Sequence, residues 1–523
     1  MTIRNLIIIL GDQLNLDNPA LENFDSHYDK ILMIEVMEEA NHVWSHKARI
    51  ALFLSAMRHF AESLIAQGFT PVYLKLGEHD YKTLSEAWVA SITELSPQKI
   101  IVCEPGDYRV LKMLEASALA ANVSLSVRDD AHFMCSQADF KHWAANGKQL
   151  RMEFFYRVMR KKYNILMQND SSKNNQPIGD RWNFDAENRG TFGNQGPQDL
   201  PEIPIFAADD ITYAVFADVQ HYFPDHPGIL ENFFWPVTRQ NALNFLDNFI
   251  ERRLAGFGQY QDAMWQGDSD KSPAPFLWHS LLASSLNLKL LNPREVIAAA
   301  ELAYRNNQVT LASAEGFIRQ ILGWREFIRG VYWLDMPNMA SANHYQHKRK
   351  LPDWYWNGNT HMNCLHQTIK QTLDYGYAHH IQRLMITGMF GVLAELNPRE
   401  VADWYLAVYV DAVEWVELPN VAGMALYANG GRFTSKPYIA SGAYIKRMSN
   451  YCSGCKYKPE VKTGAEACPY TTLYWNFLIK HFDEFEHNPR TALMVKHVAR
   501  FSQEEKIAIN ALAALRLANL NEL

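Results

Sequence analysis

Three of the chain's six cysteines fall in one twenty-residue stretch, YCSGCKYKPEVKTGAEACPY (residues 451–470). Cys452 and Cys455 bracket a glycine-containing turn, and Cys468 returns after a loop. This is metal-ligand spacing, and a CxxC in a polar segment is not core packing. Three thiolates need a fourth ligand to close a tetrahedral zinc site or a 4Fe–4S cluster. Cys103 lies inside an apparent strand and Cys135 near the end of the first domain, so Cys364, in NTHMNCLHQTI, is the best remaining candidate. Zinc usually takes its ligands as two local pairs. Three local cysteines plus a remote one, with Pro469 directly after the last, favour iron–sulfur.

Other residues offer proton chemistry. AHHIQRL carries His379, His380 and Arg383 within a stretch of helical spacing. An unperturbed imidazole titrates near pH ~6.5, which suits a proton donor that must be recharged. Paired histidines in a helix are, on their own, more often structural. Asp12 in GDQL and Glu39 in EVMEEA follow the first two apparent strands, where loops approach a ligand or simply meet solvent.

These residues need elements to hold them. The first 130 residues alternate short β-rich runs (NLIIIL, KILMIEVM, PVYLKL, KIIVCEP, VSLSV) with helical stretches, which predicts an α/β domain with a parallel, Rossmann-like sheet over residues 1–135. No GxGxxG is present. Residues 136–230 read as a helical segment and a long connector rich in Asn, Gly, Pro and Asp. Residues 231–523 are predicted to form a large all-helical domain, with HQTIKQTLDYGYAHHIQRLMITGMFGVLAEL as one helical run. With 523 residues, 48% hydrophobic and 20% charged, the chain is expected to be a multidomain soluble protein. No membrane-length apolar run or signal peptide is visible, so a cytoplasmic location is expected. The net charge of −7 argues against indiscriminate coating of nucleic acid but leaves room for a local basic patch such as HYQHKRKLP.

Several segments together resemble the photolyase and cryptochrome superfamily. LGWREFIRG is similar to its WREF helix, HSLLASSLNLKLLNP to its flavin-phosphate segment, and ADWYLAVYVDAVEWVELPN to its flavin-facing segment. With GDQL and the cysteine pattern, the chain resembles the bacterial iron–sulfur branch, the prokaryotic (6-4) photolyases and their cryptochrome-like relatives, over nearly its whole length.

The resemblance implies light-driven electron transfer from reduced FAD to a cross-linked pyrimidine pair in UV-damaged DNA. His279, Ser280, Leu282, Arg325, Arg383 and Asp411 match FAD-binding positions. Glu417 stands where many photolyases carry an asparagine beside flavin N5, and Val413 replaces a second acid. His380 matches a lesion-facing histidine, with Leu384 where animal enzymes carry a further one, so Tyr438 is a second proton-donor candidate. His379, Tyr438 and Tyr444 match substrate contacts. Trp356, Trp404 and Tyr405 match electron-relay positions. Cys364, Cys452, Cys455 and Cys468 match the ligands of a 4Fe–4S cluster, with a structural staple favoured over an electron-transfer role. Asp12 and Glu39 match contacts to a 6,7-dimethyl-8-ribityllumazine antenna. The expected activity is DNA repair by a monomer acting on a flipped-out lesion. The alternatives are a pyrimidine-dimer photolyase, against which the HHxxR run argues, and a cryptochrome-like photoreceptor, against which the lack of an evident tail argues. A nucleic-acid-binding protein without light chemistry would lack the flavin segments.

Overall fold

The apolar runs at the start of the chain become five short strands: β1 (Asn5–Ile8), β2 (Asp29–Ile34), β3 (Val72–Leu74), β4 (Lys99–Cys103) and β5 (Ser124–Arg128). The computed structural model describes residues 3–145, 149–168, 176–267 and 275–523; the part of the expected connector at 169–175 lies outside the described residues. The strands pair in the order β3-β2-β1-β4-β5, all parallel, with Asn5 opposite both Asp29 and Lys99. Successive side chains point to opposite faces. Accordingly, Ile7, Ile31, Met33 and Ile101 pack with Leu52, Met57 and Phe60 of the helix Lys47–Ala66. Leu6, Ile8, Leu32 and Val102 pack with Trp88 and Leu114 of the helices Leu84–Leu95 and Tyr108–Ala120. Both faces are covered, as a parallel sheet requires. The winding reverses between β1 and β4, which opens a crevice at the carboxyl ends of the strands.

The connector does not run free. Its helix Asp210–Tyr222 lies on Lys47–Ala66, burying Val215 and Val219 against Ile50 and Ala51. Arg58 links the two, reaching Glu35 and Asp218 at 2.8 Å each.

The rest is helical, and among the described residues four π-helical turns interrupt it: Phe249–Arg253, Arg319–Arg325, Arg383–Gly388 and Pro419–Ala425. Such turns cluster at functional sites because they re-aim side chains. The stretch expected as one helix through the paired histidines is broken. Asn363–Tyr375 ends at Gly376, which takes a left-handed φ of 64° and donates its N–H to Thr372 O at 2.7 Å. That conformation is accessible to glycine at little cost and stops the helix. The chain restarts at His380–Gln382, so His379 lies just outside the new turn and His380 opens it.

Buried charges join the two domains. Glu326 Oε2 accepts from the N–H groups of Met134 and Cys135 at 2.9 Å, Lys289 reaches Asp130 at 2.7 Å, and Arg329 pairs with Glu104.

Candidate functional site

At the centre of the helical domain a half-buried arginine holds two acids. Arg383 begins its π-helical turn with Nη2 donating to both Asp411 carboxylate oxygens (2.9 and 3.0 Å) and Nη1 to Glu417 Oε1 at 3.0 Å. Its Nε donates to Ala378 O at 2.7 Å, and its guanidinium lies 3.7 Å from the centroid of the Tyr409 ring. Burial pushes the Glu417 carboxyl up to about 7 against the lowering pull of Arg383. Asn287 Nδ2 donates to Asp411 O at 2.8 Å, fixing the acid-bearing loop.

The two histidines have different surroundings. His379 is buried and stacks on His279, with ring centroids 4.3 Å apart and planes at 13°. Burial holds both imidazoles neutral, His279 down to about 3 and His379 well below its usual range. His379 therefore packs inside the domain, with both ring nitrogens lacking a protein partner. His380 is exposed. Desolvation by the surrounding protein, then the Arg383 charge, lowers its pKa, and its exposed edge limits the size of that shift.

A set of buried polar atoms faces no protein partner. Arg253 donates Nη1 to His279 O at 2.8 Å, but its Nε and Nη2, together with His279 Nε2, Ser284 Oγ and Ser285 Oγ, are unpaired. A buried cation without a counter-charge is costly, and burial alone already lowers Arg253 to about 10. The neighbouring backbone is strained: Leu277 and Leu281 hold φ of 47° and 59° on either side of His279 and Ser280. Ser280 Oγ accepts from Leu282 N at 3.4 Å, and Leu282 itself is buried. Arg253 was missed by motif reading, where the signal was a basic pair, IERRL, while Ser284 and Ser285 lie inside the segment HSLLASSLNLKLLNP but were not singled out.

Arg325, expected to face the same ligand, is turned to the domain interface. Its Nη2 meets His132 Nδ1 at 3.2 Å, Nη1 reaches Glu326 at 3.4 Å, and the guanidinium lies 4.2 Å from the Phe133 ring centroid.

Trp404 and Tyr405 are buried with centroids 5.3 Å apart, and Tyr355 and Tyr409 join them at 5.0 and 5.9 Å from Trp404. Trp356 instead pairs with Trp44 of the first domain at 4.9 Å. Tyr438 and Tyr444 are half-buried. Burial raises both phenols, Tyr444 to about 12; Asp185 adds to the first and Asp262 to the second.

The four cysteines Cys364, Cys452, Cys455 and Cys468 line one cavity walled by Met362, Ile445 and Tyr470. A Cβ at Gly442 would come within 2.9 Å of Cys468 Sγ, so a side chain there would press on the cavity. Among the described residues, no group of three or more His, Cys, Asp or Glu is placed to hold a single metal ion. The cysteine loop is tied to the histidine turn: Gln382 Nε2 donates to Tyr451 Oη at 2.9 Å, while Gln382 Oε1 accepts from His379 N at 3.0 Å.

A second cavity, with roughly 1230 Å³ of space partly open to solvent, occupies the crevice at the carboxyl ends of the strands. Asp12 and Glu39 both line it. Burial raises Asp12 to about 6, and Glu39 is held by Arg109 through two bonds of 3.0 Å. A Cβ at Gly106 would displace the Asp12 carboxylate and press on Trp415, so the glycine leaves room for that acid.

An α/β sheet of this order, joined by a wrapped connector to a helical domain, is the photolyase–cryptochrome fold. The structure aligns with that of a bacterial class III photolyase from Agrobacterium tumefaciens (TM-score 0.55, 14% identity, 99% of this chain and 97% of that one). It aligns similarly with the Synechocystis sp. PCC6803 cryptochrome (TM-score 0.56, 12% identity, 97% and 94%). Residues 7–235 match the family model described as deoxyribodipyrimidine photo-lyase-related protein. The chain is 45% identical over 519 residues, 99% of each chain, to a (6-4) photolyase of Agrobacterium fabrum, and it belongs to that photolyase family. No helix among the described residues is long and apolar enough to cross a membrane.

Proposed function

We propose that the chain is a (6-4) DNA photolyase that uses blue light to reverse (6-4) pyrimidine–pyrimidone photoproducts. The observation that carries this reading is the exposed His380, placed three residues from the half-buried Arg383 that holds Asp411 and Glu417, in a chain similar over its full length to a (6-4) photolyase. FAD, when bound and reduced, supplies the light-driven electron.

The donor set fits FAD. Arg253, His279, Ser284 and Ser285 offer unpaired buried nitrogens and hydroxyls suited to its phosphates. Asp411 and Glu417 would stand at its ring, with Arg383 balancing their charge. A carboxyl at 417 accepts or returns a proton, which an amide cannot. His380, open to the cleft, donates a proton to the oxygen function that must move between the two bases and then recovers it. Tyr438 and Tyr444 contact the lesion or its DNA. Trp404 and Tyr405 lead electrons inward, with Trp356 at the outer end. The chain acts as a monomer in the cytoplasm.

The cysteines suit a 4Fe–4S cluster better than one zinc ion: four thiols line a shared cavity without closing on a single ion. The bond chain through Tyr451 and Gln382 supports a staple that holds the histidine turn. The cavity bearing Asp12 and Glu39 would hold the ribityllumazine antenna. The purified chain should restore a (6-4)-damaged oligonucleotide under blue light; no restoration by flavin-loaded protein that binds this DNA would reject the reading.

A further inference from the structure

Doubly wound sheets commonly hold phosphates at the switch point, because helix N-termini there present free N–H groups and a positive dipole end. In this chain most of the corresponding donors on the three long helices that open at the crevice are consumed. On the helix Tyr108–Ala120, Tyr108 N donates to Tyr332 Oη at 2.7 Å, and Arg109 N and Val110 N donate to Asp107 Oδ1 at 2.6 and 3.3 Å. On Leu84–Leu95, Leu84 N donates to Glu38 Oε2 at 3.0 Å and Glu86 N to Thr83 Oγ1 at 3.1 Å. On Lys47–Ala66, Lys47 N donates to Pro227 O at 2.9 Å and Ala48 N to His46 Nδ1 at 3.0 Å.

The side chains point the same way. Five carboxylates (Asp12, Glu35, Glu39, Asp107 and Glu414) and two guanidiniums line the cavity; Glu35 is already taken by Arg58, Tyr73 Oη and Leu76 N, which leaves the other four acids toward the ligand. Arg109 is taken by Glu39. Arg49 turns its fork to Ala412 O and Ser45 Oγ, at 3.2 Å each. Carboxylates accept hydrogen bonds, and hydroxyl-bearing ligands supply them; a phosphate brings only more acceptors and negative charge. Phe53, Met57 and Trp88 add apolar and aromatic wall for a flat ring.

We propose that this cavity selects a fused-ring pigment with an uncharged polyhydroxyl chain and rejects its phosphorylated form, with Asp107 as the specificity-determining residue. Asp107 both occupies the N–H groups that would grip a phosphate and places a like charge beside them. The inference rests on the antenna reading of the cavity and adds the ligand's charge class to it.

The test uses full-length, FAD-loaded chain produced in cells that cannot make ribityllumazine and are fed riboflavin. The probes are 6,7-dimethyl-8-ribityllumazine and its 5′-monophosphate, titrated by fluorescence. The phosphate should bind about tenfold or more weakly, since its charge would meet the like charge of Asp107. D107N removes the charge and retains an N-cap, and D107G also frees the N–H groups; the gap should narrow in the first and further in the second. Thermal unfolding identifies any variant that fails to fold, and the wild-type comparison decides the matter without the variants. Equal binding of the two probes by wild type would overturn the selectivity and leave the antenna reading standing. Binding of neither would overturn both.

Discussion

Glu417 Oε1 lies 3.0 Å from Arg383 Nη1, yet the carboxyl remains raised to about 7 because burial outweighs the guanidinium. The folded chain thus keeps a proton that the unfolded chain releases near the ordinary carboxyl range. Between about 4.5 and 7 the folded state binds more protons at this site, so its contribution to stability falls as pH rises through that window and is level above it. In E417Q this pH dependence should be lost, which melting curves at pH values across the window would show. The absorbance of the bound flavin should titrate near neutrality in wild type and not in E417Q.

His380 and His379 should separate function from stability. H380N removes an exposed ring, so repair of a (6-4) lesion should fall by about 10²–10⁴-fold, the range for a lost general acid, with melting temperature nearly unchanged. H379A removes a buried ring stacked on His279 and should destabilise the fold by about 1–3 kcal/mol. Denaturant unfolding and single-turnover repair measured on both variants distinguish the two roles. Equal losses of repair with no loss of stability in H379A would contradict the assignment.

Cys364 opens the helix Asn363–Tyr375, and the cysteine loop reaches the histidine turn through Tyr451 and Gln382. C364A should lose most of its bound iron and sulfide. If the cluster is a staple, the same variant should also raise amide exchange at residues 378–383, and Y451F should reproduce part of that effect with its iron intact. Unchanged iron content would remove Cys364 from the ligand set.

Arg329 and Glu104 form a buried pair across the domain interface. R329L leaves the Glu104 carboxylate without its partner and should cost about 3–5 kcal/mol at neutral pH. Burial already raises Glu104 to about 7 in the presence of Arg329. The defect should therefore shrink below that pH, where the orphaned acid can take a proton. Unfolding free energies at pH 6 and pH 8 test this.

Much of this arrangement was legible in the chain itself. All five strands come from the short β-rich runs, the central three buried on both faces and the edge strands β3 and β5 only partly, and Cys452, Cys455, Cys468 and Cys364 share a cavity. The paired histidines were harder. Their helical spacing hid the break at Gly376, although glycine in DYGYAHH was the available signal. Arg253 could not be found from motifs, because what marks it is burial without a counter-charge and with two nitrogens unpaired, which only tertiary packing creates. Arg325 shows the converse: a motif residue whose fork is drawn away by His132 and Glu326, partners 193 positions and one position distant. The ring contact of Trp356 with Trp44 of the first domain, far away along the chain, likewise had no local signal.

The central claim is tested most directly by single-turnover repair of two oligonucleotides, one carrying a defined (6-4) photoproduct and the other a cyclobutane dimer, under blue light and in darkness. The structure and its full-length relative predict light-dependent restoration of the (6-4) lesion alone. Restoration of the dimer instead would contradict the role given to His380. Restoration of neither, by flavin-loaded protein that still binds the damaged DNA, would contradict the account and move the weight to light sensing.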